Sequence, residues 1–205
     1  MSKRIFLILG CLSAVILCGT IFYKQTLALP QTQHSKSYKP SYDLGGVFDL
    51  TDTNGTTITQ EELKNHFSLI YFGYSYCPDI CPMGLSCITE VLELLKNDKD
   101  HVKAYFITID PKRDTVKSLN VYKENFHPLL TMLTGTEEQI DKAVKAYKVY
   151  RQVSKDKSTT DYLLDHSSLI YVLDRQANVI QVFSHNQNPN DIFDFLKRQL
   201  AKKES

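Results

Sequence analysis

Residues 68–82 read SLIYFGYSYCPDICP, and this stretch decides the fold. Ser68 to Tyr74 is a near-continuous apolar run rich in β-forming residues. Its length and composition predict a buried central strand. The chain then turns through Tyr76-Cys77-Pro78-Asp79-Ile80-Cys81-Pro82. Beyond Pro82, residues Leu85, Ile88, Leu92 and Leu95 recur at helical spacing. Pro82 suits a first helical turn, where a missing N–H has no intrahelical partner to lose. Cys81 is thereby placed at the helix N-terminus, where aligned amides favour a thiolate.

Working outward, VKAYFITI (Val102 to Ile109) predicts a second strand, ended by Asp110-Pro111. Thr115 to Phe126 reads as a helix behind a Thr or Asp cap. Residues 129–133, LLTML, form a short strand. Thr136 caps a further helix, with Glu137 and Glu138 in its first turn and Ile140, Val144 and Tyr147 in helical period. SSLIYVL (167–173) and VIQVF (179–183) are strands joined by a polar turn, Asp174 to Asn178. Asn190 is expected to cap the last helix, which carries Ile192, Phe195, Leu196 and Leu200 on one face. Upstream, GVFDL and TTITQ flank Thr51-Asp52-Thr53-Asn54-Gly55, a hairpin signal, and Gln60 to Phe67 contains a short helical turn. Alternating strand and helix, then an antiparallel pair and a closing helix, specify an α/β sandwich.

The N-terminus is different in kind. Ile5 to Tyr23, IFLILGCLSAVILCGTIFY, carries no charge, and roughly 20 apolar residues suffice to cross a bilayer. Lys3 and Arg4 precede it and favour export of the chain beyond it, although Lys24, Lys36 and Lys39 weaken the bias. One N-terminal transmembrane helix is expected. A cleaved signal peptide ending near Thr26-Leu27-Ala28 is the alternative. Cys11 and Cys18 read as apolar filler in that helix, not as lipid attachment sites. With no Arg- and Ser-rich transit peptide, the expected location is a bacterial inner membrane with the domain facing the periplasm. The chain divides into an anchor or uncleaved signal (1–24), a polar linker with Pro30 and Pro40 (25–44) and one folded domain (45–205). Lysine and arginine total 24 against 23 acidic residues. That balance supplies no basic field and excludes nucleic acid as a partner on charge grounds. Five cysteines in 205 residues are too few for a disulfide scaffold.

Two thiols four residues apart between a buried strand and a helix point to copper(I), zinc or redox chemistry. The three intervening residues give a wider loop than Cys-x-x-Cys. That suits two ligands on one ion and does not forbid a disulfide. Cys87 lies six residues beyond Cys81, beside the apolar stripe of the helix, and reads as core packing.

The segments YFGYSYCPDICP, FITIDPKRDT and DYLLDHSSLIYVLD, in this order, resemble the three signatures of the Sco/SenC family. The resemblance runs from about Gly45 to Leu200. It implies a thioredoxin-like fold and a copper site built from Cys77, Cys81 and His166. It also implies a role in delivering copper to the dinuclear copper site of cytochrome c oxidase, or in keeping the cysteines of that site reduced. The implied partner is the copper-bearing subunit of the oxidase. His166 stands directly before the strand SSLIYVL, where a thioredoxin-like sheet faces the cysteine turn. A neutral imidazole beside two thiolates makes a mixed N/S donor set suited to copper.

His34, His66, His101, His127 and His185 read as surface or core-capping residues. Asp79 and Asp165 are candidates for outer hydrogen-bond partners or a weak oxygen ligand, with a plain solvent-facing role as the alternative. Asp110-Pro111-Lys112-Arg113-Asp114 is expected to serve structure or partner docking, with charges pairing locally. Met83 reads as packing. Two functions compete. A metallochaperone needs all three donors, whereas a membrane-anchored thiol–disulfide oxidoreductase with the redox pair Cys77 and Cys81 has no need of His166.

Overall fold

The computed structural model describes residues 43–96, 98–154 and 162–202. The expected membrane segment, most of the linker, Cys11, Cys18 and His34 lie outside them. Among the described residues, no helix is long and apolar enough to cross a membrane.

Strands β1 (Asp49–Asp52) and β2 (Thr57–Thr59) form the expected hairpin, in register Thr51↔Thr57. The Asp52 carboxylate closes the turn by accepting the amides of Asn54 and Thr56 at 2.8 Å each, and Gly55 takes the positive φ of 81° that costs it little. A 3-10 turn at Gln60–Leu63, capped by Thr59, is the short helical turn read from the sequence. Strand β3 (Phe67–Gly73) is buried at all seven positions, because strands cover both of its edges and helices pack on the sheet.

Helix α1 (Ile80–Leu94) follows the cysteine turn and buries Cys81, Gly84, Leu85, Ile88, Val91 and Leu92. Strand β4 (Val102–Thr108) runs parallel to β3. Helix α2 (Val116–Lys123) is capped by Thr115, and its Ser118 completes a capping box. Strand β5 (Leu130–Thr134) runs parallel to β4. Helix α3 (Glu137–Ala146) is capped by Thr136, with Glu137 and Glu138 in its first turn as expected.

A short antiparallel ribbon comes next, β6 (Arg151–Val153) and β7 (Leu164–His166). The sequence reading has no counterpart for it: three-residue strands are too short to show a period. Strands β8 (Leu169–Leu173) and β9 (Val179–Ser184) are the expected hairpin. Helix α4 (Pro189–Leu200) closes the domain and packs on α1. Its cap is Asn188, not Asn190. The Asn188 side chain accepts the Asn190 amide, and Pro189 takes the first helical position, where proline is pre-shaped for a helix.

The main sheet has the order β2-β1-β5-β4-β3-β8-β9. β3 lies between parallel β4 and antiparallel β8, and its C-terminal end, which leads into the cysteine turn, stays paired with β4 as far as Gly73↔Thr108. This is the thioredoxin-like sandwich with an N-terminal hairpin.

At the other end of β3 sits His66, only 5% exposed, with Nε2 3.4 Å from the Tyr105 hydroxyl. Burial, aided by Lys103, pulls its pKa from 6.5 down to about 4. The folded imidazole is therefore neutral where the unfolded one begins to take a proton, so stability is lost as pH falls from about 6.5 to 4 and levels off below. We expect urea denaturation to show a loss on the order of 2 kcal/mol across that window, absent in His66→Gln. Equal pH profiles for the two proteins would refute the assignment.

Candidate metal centre

Cys77 ends a tight turn in which its amide donates to the Tyr74 carbonyl at 3.2 Å. Cys81 is the second residue of α1. His166 ends β7, 85 residues further on, and pairs with Arg151 across the ribbon. One donor atom from each of Cys77, Cys81 and His166 lies within 4.8 Å of the others. The Cys81 Sγ and His166 Nε2 are 3.2 Å apart. His166 Nδ1 is 3.0 Å from the Ser167 carbonyl, which assigns the ring N–H to that bond and turns the Nε2 lone pair toward the sulfurs. The Tyr74 ring meets the imidazole edge-on at 5.8 Å.

Gly73 makes room for the sulfur, and Gly84 makes room for the tyrosine that braces the turn. A Cβ on Gly73 would stand 2.8 Å from Cys81 Sγ, and one on Gly84 would stand 2.7 Å from the Tyr71 ring. Tyr71 is fully buried and donates its hydroxyl to the Ile80 carbonyl at 3.2 Å. It thus ties β3 to the first turn of α1.

The segment Asp110–Asp114 is the frame of the site, and its charges do pair locally. Asp114 is buried. Its carboxylate accepts the Ser75 amide at 3.0 Å, the Ser75 hydroxyl and the Thr108 hydroxyl at 2.6 Å. This bond set fixes the cysteine turn two residues before Cys77. Asp110 receives Arg113 Nε at 2.5 Å and the Tyr162 hydroxyl at 2.7 Å, which reaches the chain four residues before His166. One loop therefore grips both halves of the donor set.

The two sulfurs do not ionise independently. Cys77 is driven well below an ordinary thiol, first by the hydrogen bond from Cys81 and, against burial, by the amides of Asp79 and Cys81. Cys81 is pushed up by the same bond to Cys77 and by burial. The pair holds one proton, resident on Cys81, beside an anionic Cys77 sulfur. Two soft sulfurs and a correctly turned imidazole nitrogen form a donor set for a soft or borderline ion. The same pair, one thiolate beside one thiol, is also equipped for disulfide exchange.

The structure brings together all three residues singled out from the sequence. Cys87 stays apart: it is buried, its S–H donates to the Gln187 carbonyl at 3.4 Å, and burial with Glu90 pushes its pKa up to about 12. Asp79 and Asp165 are exposed. Asp165 pairs with Gln152 in the ribbon, and Ser167, not a carboxylate, holds the imidazole. Asp79 contributes its backbone amide to Cys77. Met83 is 48% exposed and packs little. The sequence reading did not single out Tyr71, Tyr74 or Tyr162. Their signal was available, since each sits near a ligand in a segment rich in site residues.

A family model described as SCO1/SenC matches residues 36–201. The SCO2-like protein of Rickettsia felis is 38% identical over 201 residues, which is 96% of this chain and 98% of that protein. Protein SCO2, mitochondrial, of Saccharomyces cerevisiae is 42% identical over 163 residues, 78% of this chain and 54% of its own. Among solved structures, copper-bound ScoI of Bradyrhizobium japonicum superposes with a TM-score of 0.70 at 41% identity, covering 76% of this chain and 98% of its own. Copper-bound ScoI of Arabidopsis thaliana gives 0.71 at 32%, covering 77% and 98%.

Substituting Gly73→Ala forces the Cys81 sulfur or the Phe106 ring, 3.0 Å away, to move. Overpacking of this kind costs about 1–3 kcal/mol. The denaturation midpoint should fall accordingly, and the contact between Cys81 and His166 should lengthen in a crystal structure of the variant. A Gly73→Ala protein with unaltered stability and geometry would contradict the close approach.

Proposed function

Because the chain belongs to the SCO1/SenC family, we propose that it binds copper as cargo through Cys77, Cys81 and His166 and delivers it to the dinuclear copper site of cytochrome c oxidase. The observation that carries this reading is the convergence of the three donor atoms within 4.8 Å, from residues far apart in sequence. The two copper-bound relatives support it. Thiolates favour copper(I), and the imidazole extends the site toward copper(II). In this reading Cys77 offers an already ionised sulfur, Cys81 gives up its proton on binding, and the Ser167 carbonyl keeps the imidazole in the ligating tautomer.

A second reading is favoured by one observation, the two sulfurs of Cys77 and Cys81 within 4.8 Å of one another at the head of α1, where the hydrogen bond between them lowers the Cys77 thiol and raises that of Cys81. As a reductant, the Cys77 thiolate would attack a disulfide of the oxidase subunit and form a mixed disulfide, releasing one thiol. Cys81 would then resolve it. The target would leave with two thiols and the chain with a Cys77–Cys81 disulfide. The proposal includes anchoring through Ile5 to Tyr23, with the domain in the periplasm. Support comes from the uncharged run and its preceding Lys3 and Arg4.

Titrating the reduced full-length chain with copper(I) should give one ion per chain. Cys77→Ser and Cys81→Ser should abolish tight binding, and Cys87→Ser should leave it unchanged. Equal loss from Cys87→Ser would sink the ligand assignment. His166→Ala separates the two readings. A chaperone should lose at least about 10–100-fold in copper affinity and fail to support oxidase assembly as badly as Cys77→Ser does. Near-normal oxidase in the His166→Ala strain, without added copper, would transfer the role to thiol reduction. Protease added to spheroplasts should digest the domain, and full protection behind an intact membrane would overturn the topology.

A further inference from the structure

We infer that Arg113 and Tyr162 are positioning residues for His166. They clamp the ribbon that carries the imidazole against the cysteine turn, without themselves touching an ion. This rests on the copper-site reading above and adds to it what holds the third ligand in place.

The ribbon cannot hold itself. β6 and β7 have three residues each, and an isolated two-stranded ribbon is marginal even when longer. β6 has its own anchor: Arg151 donates to the Ile109 carbonyl at 2.6 Å and bonds Asp141. β7, which ends in His166, is tied down elsewhere. The Arg113 guanidinium carbon lies 3.7 Å from the Tyr162 ring centroid, 4.7 Å from Tyr76 and 5.6 Å from Tyr74. Tyr76 and Tyr74 belong to the cysteine turn, and Tyr162 belongs to the segment approaching His166. A cation among these three rings attracts all of them.

Hydrogen bonds fix the same arrangement. Arg113 Nη1 donates to the Tyr162 carbonyl at 2.9 Å, its Nε to Asp110 at 2.5 Å, and Asp110 takes the Tyr162 hydroxyl at 2.7 Å. The Leu164 amide donates to the Tyr74 hydroxyl at 3.1 Å. Together these links join the half bearing the thiols to the half bearing the imidazole. Arg113 Nη2 is buried with no acceptor among the described residues. Opening the clamp would return that donor to water. Loss of the clamp leaves the Asp114 and Tyr71 supports of the cysteine turn intact and removes the ties that reach the imidazole.

The test is a double-mutant cycle on the full-length reduced chain, with Arg113→Ala and, at the exposed rim, Tyr162→Leu, each in the parent and in His166→Ala. Copper(I) affinity is read by chelator competition. Nitrogen coupling is read on the copper(II) form by electron paramagnetic resonance. In the metal-free protein, ring contacts are read by NMR. Either substitution should weaken copper(I) binding by about 10–100-fold in the parent and by under about twofold in His166→Ala. The nitrogen coupling should fade. The Tyr74–His166 contact should vanish in the metal-free protein while the core contact Phe72–Tyr171 persists. Unchanged affinity, or equal losses in both backgrounds, would overturn the inference and leave the copper-site reading standing. A parent chain that binds copper without any nitrogen coupling would instead defeat the ligand set itself.

Discussion

The buried carboxylate of Asp114 is the interaction on which the site depends. Burial pushes its pKa up, and hydrogen bonds from Ser75 and Thr108 oppose that push. No cation is its direct partner among the described hydrogen bonds and ion pairs; hydroxyls and an amide take that place. Because those donors come from the ends of β3 and β4, the carboxylate costs least when both strand ends are where the site needs them. Removing Ser75 or Thr108 would leave an under-solvated charge, so the frame around Cys77 is strongly specified. Thr134 adds a third strand by donating to the Asp114 carbonyl at 2.6 Å.

Most of the architecture was legible because its signals are local. SLIYFGY has the length and composition of a strand buried on both faces, and β3 proves to be one at every position. Thr115 and Thr136 could be read as caps because each is followed three residues later by a side chain able to close the capping box. Asn190 was misread for a comparable reason. Asn188 and Asn190 flank Pro189, and pattern alone does not tell which asparagine precedes the first helical turn. The structure decides it, since proline favours the first helical position and the cap must stand before it.

The cysteine pair was legible as chemistry, and His166 became legible through the resemblance to the Sco/SenC family, with which its place before β8 agrees. The ribbon around His166 was not. Its strands are too short to alternate visibly, and its ties run to distant parts of the chain, Ile109, Asp110, Arg113 and Asp141. Arg113 and Tyr162 lie in segments that drew notice, but nothing in the sequence pairs them. They are distant along the chain, and only the fold sets a guanidinium face against that ring. The acids nearest the ligands in sequence, Asp79 and Asp165, drew attention instead. Yet both side chains are exposed, and the imidazole found a backbone carbonyl.

The three donors differ in burial. Cys81 is fully buried, Cys77 is 7% exposed and His166 is more open. A metal ion passed between two proteins moves by ligand exchange, with donor and acceptor groups sharing it for a moment. An incoming group must therefore approach where the outgoing one can withdraw. The wall formed by Gly73, Gly84 and Tyr71 closes the Cys81 side to any such approach. Were an ion held here, an incoming group would meet the imidazole of His166 and the sulfur of Cys77 before the enclosed sulfur at the head of α1.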